Sequence, residues 1–335
     1  MVNPPLPSYV QIEPVGQCNL RCRMCSIQFR DDAPVDGSPA FMAFATFTQL
    51  IDQFTTLKNL HLQGLGEPMM HPRFFDMVEY AVQKGIQVTT NSNLTLLGDK
   101  QAERCVTSGL HSLHVSIDGA TPTTYERIRV GSSFDRVIGN LNRLQFMRRH
   151  KQSKSPHLQL TMVLMRQNLH ELPDLVRLAH QYAVDSLFVQ HLCHDFGEST
   201  LPAHYQAMQH FVQAETLLEA DMQHVESIFA HARSLAQALN VDLRLPRLRP
   251  KLHAPETPGR ERCDWPWQGA YISYQGLAMP CCMISTPDRL NFGNVLQQGV
   301  EDTWQGEGYQ AFRQQLNSAT PPEVCRSCSI YSGTF

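Results

Sequence analysis

From residue 8 to about residue 240, short runs that alternate apolar and polar positions take turns with longer stretches carrying an apolar stripe at helical spacing. Ser8–Val15 alternates as a strand and runs straight into a cysteine-bearing loop, followed by a Pro/Gly/Asp-rich connection over Asp31–Pro39. Thr46–Leu57 reads as a helix, Asn59–Gln63 as a strand, and Pro72–Lys84 as a helix with proline in its first turn. Ile86–Thr90 and His111–Ile117 read as the third and fourth strands, with a helix over Asp99–Ser108 between them. Helices are expected at Thr123–Ile128 and Phe134–His150, strands at His157–Met165 and Ser186–Leu192, and a helix at Leu169–Tyr182 between those strands. Such alternation implies parallel strands joined by crossover helices. Six units are too few for a closed eightfold barrel. The expected fold is therefore α/β, a partial (β/α)6 barrel.

Within the strands, parity carries a second message. Tyr9, Gln11 and Glu13 share one face and Val10 and Ile12 the other; Gln159 and Thr161 oppose Leu158 and Leu160, and Gln190 opposes Val189. Helices must cover the apolar face, so the polar face should line the barrel. A filled barrel core is aliphatic, and polar residues there suggest a wet cavity for a polar substrate. Glu13, Gln63, Thr161 and Gln190 are the expected substrate-facing residues.

Polar clusters recur just past the carboxyl end of each strand, where α/β barrels assemble their sites. They are the cysteine loop, Gly64-Leu65-Gly66-Glu67-Pro68, Asn91-Ser92-Asn93, Ser116-Ile117-Asp118-Gly119, Arg166-Gln167-Asn168, and Gln190 through Asp195. Beyond them, residues 197–245 suggest two helices, near Ala203–Ala220 and Met222–Leu239, and a short strand at Val241–Leu245. This insert should close the barrel side and pack on the next domain. Leu245–Pro258, rich in proline and arginine, reads as a linker. The division expected is 1–245 for the barrel and its helical extension and 246–335 for a second module, in line with the two domains that about 335 residues suggest.

Composition narrows the class. Apolar residues make up 42% of the chain, enough for a sizeable core, and 28 basic against 31 acidic residues leave no nucleic-acid or membrane footprint. The first residues have neither a basic nor an apolar signal region, so a cytoplasmic protein is expected. Ten cysteines in such a chain argue for metal binding over disulfides.

Three of those cysteines lie within eight residues, Cys18-Asn-Leu-Arg-Cys22-Arg-Met-Cys25. Thiolates at this spacing select zinc, copper(I) or an iron–sulfur cluster. Since a cubane wants four cysteines, one iron would remain open, and open positions are where chemistry happens. The C-x3-C-x2-C pattern resembles that of the radical S-adenosylmethionine (SAM) enzymes. That resemblance implies that SAM chelates the open iron and is cleaved reductively to a 5′-deoxyadenosyl radical. It also implies roles along the rim: Gly64, Gly66 and Glu67 resemble the motif that receives the SAM amino group, and Asn91, Ser116 and Asp118 the groups that hold its carboxylate and ribose. Arg129 resembles an arginine that forks onto the carboxylate, and Met24 stands where an aromatic residue often packs on the adenine.

A second set, Cys263, Cys281, Cys325 and Cys328, falls around a hairpin expected at Gly269–Ser273 and Leu277–Pro280. Four thiolates complete either an iron–sulfur cluster or a structural zinc site. The arrangement resembles the SPASM/twitch modules that follow the barrel in many radical SAM enzymes, which implies one auxiliary [4Fe–4S] cluster in a small C-terminal α+β module. Cys282 could exchange roles with Cys281. Cys105 is expected to be buried and inert, and Cys193 either to pack or to give a hydrogen atom to a substrate radical.

The function expected is that of a radical SAM oxidoreductase of biosynthesis. It would take a hydrogen atom from a polar substrate, a small molecule or a peptide, and oxidise it with the auxiliary cluster as electron acceptor. The layout resembles enzymes of the 2-deoxy-scyllo-inosamine dehydrogenase type. Glu13 and His191 are the candidate general bases, and a flavodoxin- or ferredoxin-type protein the expected reductant. Alternatives are peptide epimerisation or crosslinking and, from another class, a non-enzymatic two-cluster electron-transfer protein.

Overall fold

The computed structural model describes residues 4–34, 36–192, 196–217, 220–254, 257–284, 286–326 and 328–334. Its centre is one sheet of nine strands: β1 (Tyr9–Ile12), β2 (Asn59–Leu62), β3 (Gln87–Ser92), β4 (Ser112–Ser116), β5 (His157–Leu164), β6 (Ser186–His191), β7 (Leu243–Arg244), β8 (Gly269–Ile272) and β9 (Ala278–Met279). The spatial order is β7-β6-β5-β4-β3-β2-β1-β8-β9. Strands β1 to β8 pair in parallel and only β8–β9 is antiparallel. Helices α1 (Phe44–Gln53), α2 (Phe74–Gln83), α3 (Asp99–Thr107), α4 (Pro122–Ile128), α5 (Phe134–His150) and α6 (Leu172–Gln181) supply the crossovers. This is the six-unit partial barrel expected from the alternation.

The strand parity explains why the sheet is wrapped on one side. Leu60, Leu62, Val88, Leu113, Val115, Leu158, Leu160, Leu187 and Val189 are fully buried in the core shared with the helices. Each contributes roughly 1.5–3 kcal/mol when fully buried. Helix starts are marked by side chains that relieve orphan amides: Thr121 accepts from the Thr124 N–H at the head of α4, and Ser133 from the Arg136 N–H at the head of α5.

The insert after β6 forms α7 (Gln206–Glu215) and α8 (Met222–Leu239), and α8 packs along α6. Asp221 caps α8, and Asn240 ends it in the left-handed conformation. Phe196, Tyr205, Met208 and Val212 make a separate apolar cluster against Met24 and Phe29 of the cysteine loop. On its far side the insert is pinned to the C-terminal module. Arg289 Nε lies 2.6 Å from Glu198 Oε1 with both side chains nearly inaccessible, and Tyr205 Oη donates to Asp288 Oδ1.

Two strand features differ from the sequence reading. β1 is only four residues long because Glu13 and Pro14 turn the chain toward the loop, and Val15 makes an isolated bridge with Phe41 instead. More important, β8 of the C-terminal module lies beside β1, with Tyr9 opposite Gly269 and Ile12 opposite Ile272. The sheet is thus continuous across the sequence position where the second module was expected to begin.

Candidate active site

The cysteine loop springs from the carboxyl end of β1 and is laced to the segment after α4. The Arg21 N–H donates to Val130 O and the Arg23 N–H to Ile128 O, each at 3.0 Å. Those two bonds bracket Cys22 and set it opposite Arg129. Arg129 Nη1 lies 3.9 Å from Cys22 Sγ, while its Nε is 2.6 Å from Asp118 Oδ2. That last contact is an ion pair without hydrogen-bond alignment, since neither atom makes a hydrogen bond among the described residues. Asp118 is wholly buried, and its Oδ1 accepts the Val163 N–H of β5.

The other thiols have uncharged donors. Cys18 Sγ receives the Leu20 N–H at 3.4 Å and Asn93 Nδ2 at 3.8 Å. Burial pushes the free thiols of Cys18 and Cys25 up, to about 11 and about 12. Burial thus disfavours the bare thiolate, and a bound metal would displace the proton. Hydrogen-bond donors trained on sulfur are what a thiolate-held centre requires, so the loop fits a cluster with three protein ligands.

The second set closes on a cavity. Cys263, Cys281, Cys325 and Cys328 share its wall with apolar side chains such as Trp265, Phe312 and Leu316. Cys282 does not line it and stands within electrostatic reach of Tyr9 and Tyr271. Four soft ligands in an apolar chamber suit a cluster shielded from water. Among the described residues no group of three His, Cys, Asp or Glu side chains converges on a single-ion site.

Several residues expected to contact SAM are engaged by the protein itself. Glu67 is buried and accepts from Ser92 Oγ at 2.7 Å, Asn93 N–H at 2.8 Å and Met69 N–H at 3.2 Å. The space beside Gly64 is filled by Glu13, whose Cγ would lie 2.4 Å from an added Cβ; beside Gly66 the Val15 carbonyl oxygen would lie at 2.1 Å. These glycines admit the chain's own first strand and loop, where the resemblance implied close approach to a ligand. Met24 packs toward Phe196 and Tyr205. Asn91 Oδ1 and Ser116 stand half-buried at the strand ends, Asn91 accepting from His114 Nδ1 at 2.8 Å.

Two expectations are corrected. Glu13 does not face a substrate: it is completely buried, 2.6 Å from Arg30 Nη1, and accepts the Leu65 N–H at 3.0 Å. Its position past the end of β1 turns it into the wall between the loop and the C-terminal hairpin. His191 shares the parity of Leu187 and Val189 and lies on the helix-covered face, where its Nε2 donates to Arg247 O at 2.8 Å. Cys193 lies outside the described residues. Cys105 is fully buried in the main core, as expected.

The lumen face holds the predicted Gln63, Thr161 and Gln190, with Gln11 Nε2 donating to Gln63 Oε1 and Gln159 Nε2 to Thr161 Oγ1. It also holds residues that the sequence reading passed over. His61 Nδ1 pairs with Thr89 Oγ1 at 2.7 Å, the His61 and His114 rings stack at 5.8 Å, and His157 Nε2 meets Ser186 Oγ at 2.9 Å. Burial holds His61 down at about 3 and His114 at about 4, so both are neutral. The signal was available: both lie at the polar parity of their strands, register-matched through Thr89 and Asn91.

Comparison with known proteins agrees with this geometry. Residues 12–179 match the family described as the radical SAM superfamily, and residues 263–329 match the SPASM family, an iron–sulfur cluster-binding domain. The tungsten-containing aldehyde ferredoxin oxidoreductase cofactor-modifying protein of Pyrococcus furiosus is 25% identical over 96% of this chain and 87% of its own length. PqqA peptide cyclase of Xanthomonas campestris pv. campestris is 24% identical over 97% of this chain and 80% of its own. The crystal structure of Streptococcus suis SuiB bound to S-adenosylmethionine superposes with a TM-score of 0.70 at 15% identity, covering 98% of this chain and 72% of that one. No helix among the described residues is long and apolar enough to cross a membrane. The chain belongs to the radical SAM superfamily and carries a C-terminal SPASM domain, so that its cofactors are a [4Fe–4S] cluster, S-adenosylmethionine and auxiliary iron–sulfur.

Proposed function

We propose that this chain removes a hydrogen atom from carbon of an uncharged polar substrate and completes a net two-electron oxidation of it. The observation that carries this reading is the lumen. Gln63, His61, Asn91, His114, Gln159 and Thr161 form a row of neutral hydrogen-bonding groups across the strands. Such a wall pairs with amides and hydroxyls, whereas a carboxylate or ammonium would lose hydration without gaining a counter-charge. When bound, the open cluster with SAM supplies a 5′-deoxyadenosyl radical and the auxiliary cluster a one-electron acceptor.

The chain's own side chains bind, orient and move a proton. Asn91 Oδ1 accepts the Nδ1 proton of His114, leaving Nε2 as an acceptor toward the lumen, placed to take the proton that accompanies oxidation. SAM is held, on this proposal, by the backbone of Gly64–Glu67 with Asn91 and Ser116 at the neighbouring strand ends. The reductant is a flavodoxin- or ferredoxin-type protein of the cytoplasm.

A second reading, peptide modification, is favoured by the relatives whose names specify it, PqqA peptide cyclase among them, over nearly the whole chain. An amide-binding lumen suits a peptide equally well. Anaerobically reconstituted protein with dithionite and SAM should release 5′-deoxyadenosine. Candidate alcohols and peptides deuterated at carbon are then screened for label in that nucleoside. Loss of two hydrogens from an alcohol supports dehydrogenation; the same loss from a peptide supports crosslinking, and an unlabelled peptide whose mass is unchanged in H2O but rises by one deuterium in D2O supports epimerisation. No 5′-deoxyadenosine under any condition would sink the enzymatic reading.

A further inference from the structure

We infer that Arg129 sets the reduction potential of the open cluster by acting on the Cys22 thiolate, with Asp118 aiming it. The resemblance assigned this arginine to the SAM carboxylate, yet the structure commits it to the cluster loop. Main-chain bonds on either side, Arg21 N–H to Val130 O and Arg23 N–H to Ile128 O, fix Cys22 against Arg129 whatever the side chains do. Arg129 is 8% exposed, and its guanidinium reaches Cys22 Sγ at 3.9 Å through Nη1. Behind it Asp118, with no exposed surface, stands 2.6 Å from Nε and is itself tied to β5 by the Val163 N–H.

The three thiols are therefore electrostatically unequal. Cys18 receives only the Leu20 amide and the Asn93 carboxamide, while Cys22 alone among them is given a cationic hydrogen-bond donor. Potentials of such clusters follow net charge, hydrogen bonds to sulfur and exposure to solvent. A buried cation at a ligating sulfur stabilises the added electron and raises the potential. Arg129 is a positioning residue in this role: it acts through Cys22, and the inference is independent of the substrate.

The test is a redox titration followed by electron paramagnetic resonance on the full reconstituted chain without SAM. The open cluster is identified as the signal that shifts when SAM is later added. Arg129→Gln should lower its midpoint by about 59 mV or more, tenfold fewer reduced clusters at a fixed solution potential. Arg129→Lys should recover part of that shift, because it returns the charge without the fork. An unchanged midpoint in Arg129→Gln, with only SAM binding weakened, would overturn the inference. Should that variant fail to assemble the cluster, Asp118→Asn is measured instead. Its amide oxygen still accepts from Val163 while the balancing anion is gone, so the midpoint should rise; no change there would overturn the inference equally.

Discussion

Glu13 shows how much one residue's surroundings decide. Its carboxylate joins Arg30, the Leu65 amide and, at 3.4 Å, the Tyr274 amide, so it holds together the loop exit, the glycine-rich turn and the C-terminal hairpin. Arg30 continues the chain to Asp32, whose carbonyl accepts from Tyr274 Oη. In Glu13→Gln, Arg30 keeps its fork onto Asp32, so the cost is that of the lost charge-assisted hydrogen bond, about 1.5–3 kcal/mol. Glu13→Gln should therefore lower the unfolding free energy by that amount, read from denaturant titration of the folded chain. A variant of normal stability with only turnover lost would restore Glu13 to a role at the substrate.

The lumen histidines make a second prediction at this scale, and its sign follows from burial. His61 and His114 are depressed to about 3 and about 4 from an ordinary 6.5, first by desolvation and then by neighbouring imidazole. Between pH 6.5 and 4 the unfolded chain binds more protons than the folded one. Stability is thus lost as pH falls through that window, by at most about 1.4 kcal/mol per pH unit for each histidine. Denaturation followed from pH 7 to pH 5 should show this slope, and His114→Gln should flatten it.

Among the elements, the turn after β2 is the most constrained. A methyl group at Gly66 would meet main-chain oxygens of Val15 and Gln17, which no rotamer change can relieve. Gly66→Ala should displace the turn from the cysteine loop, to which the Glu67 N–H is bonded through Gln17 O. The expected result is loss of iron during reconstitution, measured as iron per chain, together with a lower melting temperature. Gly139, with nothing around its added Cβ, is the matched control and should accept alanine.

At the scale of the whole molecule, two of the ties that join the modules stand apart from the rest. One is the main-chain pairing of β8 with β1, and the other the buried Arg289–Glu198 pair between the C-terminal module and the insert. Arg289 also lies 4.7 Å from the Phe196 ring, whose cluster reaches Met24 beside Cys25. The insert is therefore a strap from one cluster loop to the other. Glu198→Gln should destabilise by about 3–5 kcal/mol. Limited proteolysis should then cut within residues 197–217 first, and unaltered resistance there would mean that the apolar cluster alone holds the strap.

Most of this architecture was legible from local signals. Period-two alternation in β5, the helical stripes between strands, and the two cysteine sets each depend on residues near one another in sequence, so the barrel, its polar strand face and the two groups of cysteines could be read directly. What was not legible depends on distant segments meeting. That Gly64 makes room for Glu13 rather than a ligand, that Arg129 faces Cys22, and that β8 extends the barrel sheet beside β1 are outcomes of packing across 51, 107 and some 260 residues of chain. Composition and spacing select the chemistry a chain can support. Which carboxylate is free for it, and which is consumed as a buried tie, is decided by desolvation and neighbouring charge, and those exist only once the chain is folded.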